Sequence, residues 1–292
     1  MMRRKLSQLW HKLSILLEMI KFKHSVFALP FALMAVALAA QGWPDVWVLF
    51  WVIVAMVGAR TAAMTFNRIA DRHFDAANPR TEQRALPAGL VSVRDSWILM
   101  LGASALFFLA CAMLNTCTLA LSPFALGLVL FYSLTKRFTW LCHLVLGLGL
   151  ALAPLGGWAA VTGTFAGYPW PLSLGVLLWV AGFDCIYACL DADFDRRAGL
   201  YSMPACFGRE NSFRLAVVFH YIAFLLFTLT GLLMHLNAWY YLGIALTGVA
   251  LFYQHAIVKP EDLSRIRMSF FSMNGLIALT LFLAASLAIA TA

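Results

Sequence analysis

A chain of 292 residues that is 63% hydrophobic and 12% charged, with a mean hydropathy of +0.84, is too apolar for a soluble domain, in which about a quarter of residues carry charge. Its net charge of +8 falls in clusters between alternate apolar segments, with no basic tail or aromatic RNA-binding motif, which argues against a nucleic-acid partner. Apolar runs of span length recur without two-residue alternation, so the protein is integral to a membrane and its spans are helices.

Residues 1–24 mix basic side chains with Leu, Ile and Trp at near-helical spacing, which predicts a cytoplasmic interfacial helix. A signal peptide competes, because the run from Ser25 ends in small residues, but the long basic lead-in and the many later spans oppose it. Apolar segments follow at about 25–41, 46–66, 96–114, 117–134, 141–162, 169–190, 212–234, 237–257 and 268–291, about nine spans. The connections at 42–45, 115–116, 163–169 and 235–237 contain no Lys or Arg, whereas the others, together with the N-terminal segment, carry all the basic residues except Arg60. That asymmetry puts the N-terminus in the cytoplasm and predicts an odd number of spans. The expected architecture is all-α, one transmembrane domain over 1–292, with cytoplasmic cap loops at 67–95 and 191–211. Six cysteines lie mostly within apolar runs without CxxC pairing and read as small buried hydrophobes.

The first cap loop opens on Asn67, Asp71 and Asp75, four apart and within about 80° of arc on a helix. The second opens on Asp184, Asp191 and Asp195, which share a narrow stripe if the segment is one helix; Asp193 then falls on the opposite face and Tyr187 about 60° to one side. Carboxylates at the ends of spans are costly and mark a functional site. With no Cys partners they favour a hard divalent cation, Mg²⁺, which normally shares its shell with substrate phosphate. Arg72, Arg80, Arg84, Lys136 and Arg197 lie close by and suit phosphate oxygens. Acids, cations and membrane together point to a lipid diphosphate; solvated loop charge would not align the acids on single faces.

Arg60 lies two turns before Asn67, inside a span, and should face the interior toward a carboxylate such as Asp71 or an anionic acceptor. Tyr132 and Lys136, four apart at a span end, can reach one ligand. His24 and His143 read as hydrogen-bonded packing residues. Pro154 to Trp158 predicts a broken or closely packed helix.

These motifs resemble those of the UbiA-type superfamily of intramembrane aromatic prenyltransferases. The first signature, NDxxDxxxD, is matched at Asn67, Asp71 and Asp75, with Arg68 departing from it at the second position. The second, DxxYAxxDxxxD, is matched at Asp184, Tyr187, Ala188, Asp191 and Asp195, and YxxxK at Tyr132 and Lys136. The resemblance implies nine transmembrane helices around a central cavity. It implies Mg²⁺ held by Asn67, Asp71, Asp75, Asp184, Asp191 and Asp195, with Asp71, Asp75, Asp191 and Asp195 as the catalytic acids. Arg72, Arg80, Arg84, Lys136, Arg197, Tyr132 and Tyr187 would face the diphosphate of a polyprenyl donor, and Arg60 an aromatic carboxylate acceptor. The stretch from Lys21 to Leu33 resembles bacterial 4-hydroxybenzoate polyprenyltransferases of the inner membrane. Similar sequences also occur in organisms that make menaquinone by the futalosine route, where the acceptor is a different aromatic carboxylate, so prenylation of a precursor on that route stays open. Two other classes compete: a phospholipid-type transferase, for which one acidic motif would suffice and whose DGxxAR segment is missing, and a cation transporter, whose acids would lie near the midplane.

Overall fold

The computed structural model describes Ile15 and residues 28–292. The readings of 1–24 as an interfacial helix or a leader, and His24, lie outside the described residues except for Ile15. Within residues 28–292 there are nine long helices and one short one: α1 Leu29–Ala40, α2 Val46–Ala77, α3 Val93–Leu114, α4 Thr116–Thr135, α5 Cys142–Thr162, α6 Trp170–Ala188, the short α7 Ala192–Arg197, α8 Met203–Leu233, α9 Ala238–Ile257 and α10 Ile266–Ala290. Among the described residues there is no strand.

Local chemistry sets many of these boundaries. Asp45, Ser92, Ser202 and Asn237 each accept a hydrogen bond from a first-turn backbone N–H, and Asn115 with Thr118 forms a capping box at the start of α4. Among the described residues, seven helices are long and apolar enough to cross a membrane. The other two long ones are α1, which has 12 residues, and α9, where Gln254 and His255 dilute the apolar character. The 32 residues of α2 extend about 48 Å, well beyond a hydrocarbon core of about 30 Å, so its last turns emerge from the apolar stretch. Those turns carry Asn67, Asp71 and Asp75.

Two boundaries differ from expectation. The helix carrying Asp184 stops at Ala188, where the N–H of Cys189 bonds back three residues to Ile186, and Asp191 sits in a turn before α7. Asp184, Asp191 and Asp195 therefore do not lie on one continuous helix. In addition, α8 begins at Met203 rather than near 212, because Gly208 (φ 81°) lets a short first turn join the long helix at a kink.

Close helix contacts hold the bundle. A Cβ on Gly147 would meet the backbone oxygen of Leu177 at 2.2 Å, and one on Gly157 that of Ala32 at 2.4 Å, so only glycine lets α5 approach α6 and α1 this closely. The segment from Pro154 to Trp158 thus stays helical and is closely packed. Phe31, Trp179, Phe227 and Tyr240 fill the core beside it. Four of the six free cysteines are buried as expected, while Cys117 is half-buried and Cys206 exposed. Between α1, α2, α4, α5, α6 and α10 lies a cavity of about 810 Å³. Its walls are mostly apolar, and its polar groups include both acidic helix ends.

Candidate active site

The first wall is the end of α2. Asn67 Nδ2 donates to Asp71 Oδ2 at 2.9 Å, and Arg68 Nη1 donates to Asn67 Oδ1 at 3.2 Å. Asp75 accepts from Arg84 Nη1 at 2.7 Å on Oδ1, while its buried Oδ2 lies 3.8 Å from Arg68 with no hydrogen-bond partner among the described residues. Arg137, just beyond α4, reaches Asp71 Oδ1 at 3.5 Å.

The second wall is the broken helix end. His143 Nδ1 lies 2.7 Å from Asp184 Oδ2. Asp191 is gripped by both forks of the Arg80 guanidinium, with Nε at 2.7 Å, and by Asn78 Nδ2 at 3.0 Å. Asp195 Oδ2 accepts from Lys136 Nζ at 3.0 Å and from Ser202 Oγ at 2.9 Å. Residues that follow the first wall thus reach across to the second.

Charge states follow from these contacts. Burial pushes the Asp191 carboxyl up, but the Arg80 bonds and charge, with help from Asn78, outweigh it and hold the group below the usual carboxylate range. Burial lowers Arg80, and Asp191 more than restores it. Burial likewise opposes the Lys136 ammonium, yet the neighbouring Asp195 leaves it above the usual lysine range. Salt bridges from Arg80 to Asp191, from Lys136 to Asp195 and from Arg84 to Asp75 line the mouth.

All six expected metal residues, Asn67, Asp71, Asp75, Asp184, Asp191 and Asp195, line the one cavity, as do Tyr132, Lys136, Tyr187, Arg80, Arg84 and Arg60. Arg72 and Arg197 do not line it. Arg72 bonds the carbonyl of Ile69, and the exposed Arg197 bonds that of Asp193. Each follows an acid in sequence but points to another side of its helix. Asp193 is exposed and pairs with Arg196 and Arg209, away from the cavity. Arg60 faces the cavity with its buried Nε unpartnered among the described residues, and Asp71 pairs with Arg137 rather than with it.

Sequence reasoning missed Arg68, Asn78 and Arg137 as lining residues, and missed the bond from His143 to Asp184. It also missed an aromatic layer in which Arg80 lies 5.7 Å from the ring centroid of Tyr187, itself 4.2 Å from that of Phe270. Phe270 belongs to a π-helical turn, Ser269–Met273, inside α10. No single-residue signal marks such a turn in advance.

The donor set suits a hard cation: it is oxygen throughout, and Asp75 Oδ2 is a buried carboxylate oxygen without a hydrogen bond among the described residues. Among the described residues no three acid, histidine or cysteine side chains converge tightly enough to hold a metal alone. That agrees with Mg²⁺, which usually takes one or two carboxylates and completes its shell with water and substrate phosphate.

Residues 28–288 match the UbiA prenyltransferase family. The chain belongs to that family. It is 34% identical over 242 residues to the 4-hydroxybenzoate octaprenyltransferase of Vibrio cholerae, covering 83% of this chain and 85% of that one. The enzyme of the same description from Methylobacillus flagellatus is 34% identical over 240 residues, or 82% and 80%. Among solved structures, the apo UbiA homolog from Aeropyrum pernix K1 superposes with a TM-score of 0.82 at 35% identity, covering 89% of this chain and 96% of that one. A UbiA homolog from Archaeoglobus fulgidus, bound to DMAPP and Mg²⁺, shares the fold at a TM-score of 0.68 and 19% identity, over 95% and 99%.

Proposed function

We propose that this membrane protein transfers a polyprenyl group from a polyprenyl diphosphate to an aromatic carboxylate acceptor, 4-hydroxybenzoate or a close analogue, in quinone synthesis, with Mg²⁺ as cofactor. The observation that carries this reading is the composition of one cavity: a mouth of acids and cations above largely apolar walls, with the buried Nε of Arg60 inside and without a hydrogen-bond partner among the described residues. Membership of the family and the described activity of its relatives point the same way.

Asn67, Asp71, Asp75, Asp184, Asp191 and Asp195 would hold Mg²⁺, which supplies charge neutralisation for the departing diphosphate. Arg80, Arg84 and Lys136 serve the phosphate oxygens, exchanging carboxylate partners for phosphate ones. Because these cations are already in place, little reorganisation accompanies the charge that develops on the leaving group. Tyr187 and Tyr132 flank that region, and Arg68 adds a fourth cation to it. Arg60 pairs with the carboxylate of the acceptor, which orients the ring toward the allylic carbon. The C–O bond to diphosphate breaks, a bond forms between the ring carbon and the allylic carbon, and the ring loses a proton. Apolar walls such as Phe107, Leu121, Leu150 and Phe282 take the isoprenoid and keep out the water that would quench the allylic cation. The mouth opens on the cytoplasmic face of a bacterial inner membrane, the side on which the basic connections lie.

The deciding test is an assay of the purified protein in lipid with labelled polyprenyl diphosphate and a panel of aromatic acids, futalosine-route precursors included. The expected result is metal-dependent transfer to 4-hydroxybenzoate that EDTA abolishes. Failure to prenylate any acid on the panel would overturn the reading.

A further inference from the structure

His143 is wholly buried in α5 and is the partner through which Asp184 is tied to the bundle. Its two ring nitrogens meet different groups. The backbone N–H of Met203 donates to Nε2 at 3.3 Å, so Nε2 must present its lone pair. The ring proton therefore resides on Nδ1 and points at Asp184 Oδ2, 2.7 Å away. Met203 is the first residue of α8, and its amide is one of the N–H groups that a helix start leaves without a partner. The residue before it, Ser202, donates to Asp195. Two consecutive residues at the start of α8 thus govern two acids of the second wall, one directly and one through an imidazole.

We infer that His143 is a positioning residue for the metal-binding carboxylate of Asp184. Met203 sets its tautomer, and its Nδ1–H holds one carboxylate oxygen so that the other is presented to the cavity. A buried donor behind a ligating carboxylate fixes its rotamer and basicity, and removing such a partner typically weakens metal binding about 10- to 100-fold. The inference rests on the reading of Asp184 as a Mg²⁺ ligand. Burial in a span alone would make His143 a packing residue; the two-sided hydrogen bonding gives it direction.

The test uses full-length protein in nanodiscs with a saturating prenyl S-thiolodiphosphate, which does not react, and reads the Mg²⁺ concentration at the midpoint of the metal-dependent rise in Tm. In His143→Asn the amide nitrogen replaces Nδ1 and keeps the donor to Asp184 while abandoning Met203. In His143→Gln the amide sits at the Nε2 position and keeps Met203 while abandoning Asp184. The midpoint should rise about tenfold or more in His143→Gln and stay within about threefold of wild type in His143→Asn. The metal-free Tm should fall in His143→Asn, whose helix start has lost its acceptor. A wild-type midpoint in His143→Gln, or equal weakening in both variants, overturns the inference. Should His143→Gln fail to fold, His143→Asn decides: a shift within threefold supports the role, and a tenfold shift overturns it. If the wild-type protein itself shows no Mg²⁺-dependent rise, the metal reading of the site fails instead, which is a distinct result.

Discussion

The two acidic walls line the same cavity with opposite construction. In the first, Asn67, Asp71 and Asp75 ride on one unbroken helix, and most of their partners, Arg68 and Arg84 among them, come from the same stretch of chain. In the second the helix breaks at Ala188, and each acid is held from elsewhere: Asp184 by His143 on α5, Asp191 by Asn78 and Arg80 beyond α2, Asp195 by Lys136 beyond α4. Local periodicity builds a wall that is prearranged as soon as its helix forms. A wall assembled from distant partners is complete only when the whole bundle has closed, and it can be loosened by substitutions far away in sequence.

The sharpest way to break that comparison is to remove one acid from each wall. Asp71→Ala and Asp191→Ala should each lower Mg²⁺-dependent diphosphate release by at least about 10²–10³-fold, the scale of losing one preorganised electrostatic contact. Both should still elute as folded protein. Near-normal turnover in either would remove that wall from the site.

Arg80 comes next, because it belongs to the first wall by sequence and to the second by contact. Arg80→Ala should reduce kcat/KM for the donor about 10- to 100-fold, more than Arg84→Ala, whose partner lies within its own wall. Arg80→Lys should recover only part, since a single ammonium cannot grip both oxygens of Asp191. The pair also predicts a pH dependence. Asp191 has a depressed pKa when folded, so its stabilising contribution is complete above the unfolded value of about 3.9 and is lost as pH falls through the folded one. The Tm gap between wild type and Arg80→Ala should therefore be constant from about pH 5 upward and narrow below about pH 4. A gap that widened on acidification would contradict the pairing.

Deeper along α2, Arg60→Ala should raise the acceptor KM about tenfold or more, the cost of one charge-assisted contact, and leave the donor KM within about threefold. Equal loss for both substrates would move Arg60 into the diphosphate site.

The unequal construction of the walls also explains what the sequence disclosed. Periods of four residues on a helix are local facts, so the face of Asn67, Asp71 and Asp75 could be read from spacing, as could most span positions, which depend only on runs of apolar residues. The bond from Asn78 to Asp191 joins residues 113 apart, and that from His143 to Asp184 residues 41 apart; no local pattern encodes either. Arg72 and Arg197 show the converse. Adjacency to an acid in sequence suggested adjacency at the site, but on a helix the next or second-next residue turns about 100° or 200° away. The unexpected break after Ala188 has the same origin, because a helix end made by a three-residue backbone bond carries no required residue type.

The smallest effect is the one that tests this geometry most directly. Asp193 was set apart from Asp191 and Asp195 by the phase of a continuous helix, and that helix does not exist. The conclusion nevertheless survives for a local reason: α7 begins at Ala192, so within it Asp193 and Asp195 are about 200° apart and cannot face the same side. Asp195 turns inward to Lys136 and Ser202, and Asp193 turns out to Arg196 and Arg209. Its ion pairs are exposed, so Asp193→Ala should shift stability by no more than about 0.5 kcal/mol and leave turnover within about twofold. A loss as severe as that of Asp191→Ala would mean that α7 presents its other face to the cavity, and the assignment of Asp195 to the second wall would fall with it.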